Sequence, residues 1–88
     1  MKIEMKKFGD LLISRPDGRE AYLQAASYIL PKESTEKIIL DFDGVKVLAP
    51  SWADEFITKV FETYPNQVEL QNTDNPSVQA TLEILKRT

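Results

Sequence analysis

Three observations predict an α/β domain: the non-alternating apolar run Ile38-Ile39-Leu40 in mid-chain, the recurrence of apolar residues from Trp52 to Tyr64, and short alternating segments separated by turn residues. A strand covered on both faces of its sheet needs no polar side, so it reads as a continuous apolar run. Apolar residues three or four apart make one face of an amphipathic helix. The resulting order is β-β-α-β-α-β-α, a small single domain over residues 1–88 with a mixed four-stranded sheet and three helices.

Lys2-Ile3-Glu4-Met5-Lys6 alternates polar and apolar residues, the period of a half-buried strand, and its lysines discourage edge-to-edge pairing. Gly9-Asp10 turns the chain into a second short strand, Leu11-Leu12-Ile13. Ser14 before Arg15-Pro16-Asp17 starts a helix well, because a hydroxyl caps free N–H groups and proline is tolerated in the first turn. That helix is expected to reach Leu30, with Tyr22, Ala25, Ala26 and Ile29 inward, Leu23 and Leu30 flanking, and Pro31 at its exit.

After the central strand come an Asp43-Gly44 turn and a polar-apolar link. The second helix then sets Trp52, Ala53, Phe56, Ile57, Val60, Phe61 and Tyr64 inward and keeps Asp54, Glu55, Thr58, Lys59, Glu62 and Thr63 outward. Ser51 and Asp54 fit a capping box, and Glu55 to Lys59 has the favourable i, i+4 order. Pro65-Asn66 ends the helix, and Val68-Glu69-Leu70-Gln71 reads as a further alternating strand. Asn75-Pro76 opens the last helix, whose stripe is Val78, Leu82 and Leu85 with Ile84 beside them.

Neither cysteine nor histidine occurs. The first absence removes disulfides, thiolate metal ligands and thiol nucleophiles. The second removes Ser-His-Asp catalysis and imidazole-bound zinc, leaving carboxylates, lysines, tyrosines and hydroxyls as reactive groups. With 42% hydrophobic and 28% charged residues, the chain has the composition of a soluble globular domain. MKIEMKKFGD contains no apolar stretch like that of a signal peptide, so a cytoplasmic location without membrane contact is expected. The net charge is -3, and its basic residues are scattered; Lys6-Lys7 and Lys86-Arg87 are pairs, not the stripe that phosphate neutralisation requires. No nucleic-acid partner is expected, and a nucleic-acid-associated regulator stays as a second alternative.

Asp41-Phe42-Asp43-Gly44-Val45 after an apolar run looks like the opening motif of haloacid dehalogenase phosphohydrolases. In such enzymes the first aspartate attacks phosphorus, and magnesium with further carboxylates offsets the gathering charge. Thr73 and Lys86 imitate two further parts, but after Asp74 the sole remaining acid is Glu83, inside the last helix. A magnesium-dependent phosphohydrolase using Asp41 and Asp43 is therefore the first alternative. The favoured reading is structural: Asp41 ends the strand, Phe42 packs inward, and Asp43-Gly44 supplies the turn.

Phe8-Gly9, Leu12-Ile13-Ser14-Arg15 with Gly18, Leu40-Asp41-Phe42 with Gly44-Val45, Pro50-Ser51 and Ala53-Asp54-Glu55-Phe56 together resemble the STAS-like domain family, relatives of the domain shared by sulfate transporters and anti-sigma factor antagonists. The resemblance implies a STAS-like fold and a noncatalytic regulatory or adaptor module that binds a protein partner and needs no cofactor or metal. In the antagonists a partner kinase phosphorylates a serine at the start of the helix after the central strand. Ser51 falls at the matching place, implying a candidate phosphorylation site and a kinase-like ATPase as partner. Ala49-Pro50-Ser51-Trp52 departs from the antagonists' Asp-Ser-Ser-Gly type sequence. Arg15 is expected to pair with Asp43, Asp54 or Glu55. With Trp52, which either plugs the core or borders a contact surface, these residues make the candidate interaction rim: Arg15, Asp43, Trp52, Asp54 and Glu55. Oligomeric state stays open.

Overall fold

The computed structural model describes residues 1–32 and 35–86. Strand β1 is Lys2–Glu4, followed by a 3-10 turn over Met5–Phe8, and β2 is Leu11–Leu12. Helix α1 spans Arg15–Tyr28 and leads to β3, Ile38–Asp41, and β4, Val47–Leu48. Helix α2 covers residues 50–63 without interruption: an α-helical first turn Pro50–Ala53, a π-helical turn Asp54–Thr58 and a closing α-helical segment Lys59–Thr63. Strand β5, Val68–Gln71, and helix α3, Pro76–Lys86, complete the chain.

The described residues contain two small parallel sheets, β1-β3-β5 and β2-β4, where one mixed four-stranded sheet was expected. Register explains the difference. Lys2 lies opposite Ile39 and Leu11 opposite Val47, so the same two chain segments pair twice, with their offset changing by one residue. Between the two pairings Met5 is fully buried and its segment coils into the 3-10 turn, which ends the expected Lys2–Lys6 strand at Glu4. The opposite segment makes its own turn, Val45 N–H donating to the Phe42 carbonyl at 3.1 Å. Gly44 occupies that turn at φ +85°, a left-handed conformation natural to glycine.

Strand β3 is the centre of the larger sheet, as its apolar run predicts, with Ile38 and Leu40 fully buried. Ser14 Oγ accepts the Asp17 N–H at 3.2 Å and caps α1. The buried stripe of α1 is Gly18, Ala21 and Ala25; of the expected face Ala25 is fully buried and Tyr22 and Ile29 pack half-buried against the core, Leu30 is buried, and Leu23 is half exposed. Close packing selects glycine at position 18: a Cβ there would stand 2.6 Å from the Trp52 carbonyl oxygen, so α1 and α2 meet backbone to backbone at this point. Trp52 stacks on Phe56 with ring centroids 5.0 Å apart, and Phe8 reaches Phe56 at 5.2 Å. On α3 the buried positions are Val78 and Thr81, while Ile84 is exposed. Asn75 Oδ1 accepts from the backbone of Ser77 and Val78, so Asn75 caps the helix it was expected to open.

Candidate functional site

Asp41 closes β3 and is 4% exposed. Its Oδ1 accepts from Asn72 Nδ2 at 2.7 Å and from the Asp43 N–H at 3.0 Å, and Oδ2 faces Lys2 Nζ at 3.2 Å. The Asn72 bond, then the Asp43 N–H, hold this carboxyl below its ordinary pKa, burial opposing them and Lys2 assisting. The Asp43 bond is an Asx turn that bends the chain out of the sheet. Pairing of Asp41 with Gln71 brings the loop after β5 alongside, yet the contact comes from Asn72 and not Thr73. No sequence signal marks Asn72, because the contact spans 31 residues and exists only once β5 is in register.

Asp43 is not one of the carboxylates that pair with Arg15. It lines a cleft of about 480 Å³ with Glu4, Lys6 and Lys7. Lys86 lies at the far end of α3 and lines a different hollow, and Arg87 lies outside the described residues. Among the described residues no three carboxylates are grouped to hold a cation, and no helix is long and apolar enough to cross a membrane.

Arg15, Asp54 and Glu55 do meet. Arg15 Nη1 donates to Asp54 Oδ2 at 3.0 Å and to Glu55 Oε2 at 2.6 Å, tying the start of α1 to the π turn of α2. Lys59 Nζ approaches Glu55 Oε1 at 3.1 Å, the i, i+4 pair the sequence predicts, and lies 5.7 Å from the Tyr22 ring centroid. Lys59 and then Arg15 lower the Glu55 pKa, while Asp54 and then Glu55 raise that of Arg15. A shallow depression of about 560 Å³ adjoins the group, lined also by Pro16, Arg19, Glu20 and Leu23. Arg19 and Glu20 read as ordinary helix surface in the sequence, where Pro16 marks only a helix start and Leu23 only the flank of the inward face.

Ser51 is exposed on the first turn of α2. The expected capping box does not form: Pro50 takes the first helical position, Ala49 occupies the cap, and no side chain caps the helix. Ser51 is thereby moved inside the helix, and its hydroxyl has no hydrogen-bond partner among the described residues. Asp54 and Glu55, three and four residues on, share its face. Trp52 takes the core side of its two expected places at 1% exposure, so it supports this rim from beneath and offers no contact surface.

The fold and this rim define a small parallel α/β domain with its charged groups at the start of α2. The chain belongs to the family described as STAS-like domain of unknown function (DUF4325), whose sequence model matches residues 27–78. That span includes Asp41, Asp43, Ser51, Trp52, Asp54 and Glu55, and leaves Arg15 outside. Comparisons with curated proteins and with solved structures give no match.

Proposed function

We propose that this chain is a noncatalytic regulatory adaptor of the cytoplasm that docks a protein partner on the rim formed by Arg15, Ser51, Asp54 and Glu55. The observation that carries the noncatalytic part is the engagement of Asp41. Both carboxylate oxygens already have partners and the residue is 4% exposed, so the group that would attack a phosphate is spent on the bend. The rim supports the binding part: the exposed Arg15 and Ser51 and the half-exposed Asp54 stand over a largely buried Glu55, so side chains of both charges and an unbonded hydroxyl are held together from α1 and α2. Affinity capture from source cells should retain a partner that Arg15→Glu with Glu55→Arg releases. A generic phosphate ester in magnesium should show no turnover; turnover lost in Asp41→Asn would establish the phosphohydrolase reading instead.

A second reading adds regulation, through phosphorylation of Ser51 by a kinase-like partner. The exposed, unbonded hydroxyl favours it. A phosphate there adds about -1.5 to -2 charges on the face where Asp54 and Glu55 already hold Arg15, so it would compete for that guanidinium. Intact-mass measurement across growth conditions tests this, with Ser51→Asp weakening partner capture. A single unmodified mass and full capture by Ser51→Asp would remove the switch and leave the adaptor.

A further inference from the structure

A hollow of about 390 Å³ lies where α2, β5 and α3 meet, and none of the rim residues lines it. Ile57, Phe61, Leu70, Leu82 and Leu85 line it, and two charges stand at its margin, Glu62 from α2 and Lys86 from α3. Phe61 belongs to the face of α2 expected to be buried, yet it is 40% exposed here. Its ring therefore remains a wall of the hollow with one side open to water. Strand β5, which supplies Leu70, is an edge of its sheet.

We propose that this hollow is the contact by which two copies of the chain associate about a twofold axis. Such an interface requires one patch to complement itself, each residue meeting a different residue that meets it in return. This patch does so in shape and in charge. It holds a concavity and a half-exposed aromatic side by side, and it carries one acid on α2 and one base on α3. Among the described residues neither Glu62 nor Lys86 has an ion-pair partner. A twofold axis through the hollow sets Glu62 of each copy against Lys86 of the other and packs each Phe61 over the opposite apolar floor. A partner of uniform charge would satisfy one margin and repel the other.

Sedimentation equilibrium of the full chain over a range of concentrations tests this. The wild type is expected to reach dimer. Glu62→Lys alone and Lys86→Glu alone should each raise the dimer dissociation constant by about tenfold, since each contact occurs twice. The double variant should restore association, a recovery that a contact elsewhere would not produce. Phe61→Arg should give monomer with an unchanged circular-dichroism spectrum. A chain that is monomeric at every concentration, or a dimer indifferent to these charge reversals and to Phe61→Arg, overturns the proposal. Capture of another protein's amphipathic helix by the monomer, lost in Phe61→Arg, does the same by assigning the hollow to a different occupant.

Discussion

Replacing Asp41 separates what its oxygens hold from what its charge does. In Asp41→Ala the Asn72 amide and the Asp43 N–H lose their acceptor together, and the bend after β3 loses its fastening. Hydrogen bonds to a charged group contribute about 1.5–3 kcal/mol each, so with Asn72 near water the lower end applies and the loss is about 3 kcal/mol. Lys2 is half exposed, and its pair adds only ~0–1 kcal/mol. Asp41→Asn keeps an oxygen for both donors and removes the charge, so it should cost only about 1 kcal/mol. For a domain of this size the alanine variant should melt more than about 10 °C below wild type. The asparagine variant should fall between. Acid adds a second test with a fixed sign. Because the folded-state pKa of Asp41 is lowered, its contribution is complete above the unfolded value of about 3.9 and is lost as pH falls through the folded one. The gap between wild type and Asp41→Asn, read from urea unfolding by circular dichroism, should close over that acid range. Two variants as stable as wild type, or a gap that widens on acidification, would refute the role assigned to this carboxylate.

Gly18→Ala should destabilise by about 1–3 kcal/mol, since the new methyl would stand 2.6 Å from the Trp52 backbone oxygen and outweigh alanine's helix preference. Thermal unfolding checks the sign, and a stabilised variant would contradict the close approach of α1 and α2. Thr81→Val should cost about 1 kcal/mol, because the buried hydroxyl donates to the Leu48 carbonyl, to which Ser77 Oγ offers a long bond at 3.4 Å. Urea unfolding measures it, and an unchanged midpoint would show that this bond does not join α3 to β4.

What the sequence made legible was local. Ile38-Ile39-Leu40 announced the central strand, Ser14 and Asn75 announced two helix starts, and each rests on residues within one turn of the feature itself. The sheet arrangement was not local. Val47–Leu48 is too short for any periodicity to show, and it becomes a strand only because Leu11–Leu12 lies parallel to it. The α1 stripe was legible in part for a related reason: bulk pointed to Tyr22 and Ile29, which pack half-buried against the core, while the close approach of Trp52 that places Gly18 inside the packing leaves no mark in the sequence. Of the site, the Arg15 pair and the inward Phe42 could be read, one from charge at two helix starts and the other from its place after a buried strand. Asn72 could not, and of the three carboxylates offered to Arg15 the sequence did not say that Asp54 and Glu55 would take it while Asp43 lines a cleft with Glu4, Lys6 and Lys7.

Backbone amide NMR shifts during titration with magnesium and beryllofluoride, a mimic of an aspartyl phosphate, report on the role of Asp41 most directly. An adaptor whose central carboxylate is fastened to Asn72 and the following turn should leave the amides of Asp41, Phe42, Asp43 and Gly44 unmoved. Saturable shifts centred on those four residues, absent in Asp41→Asn, would contradict the account.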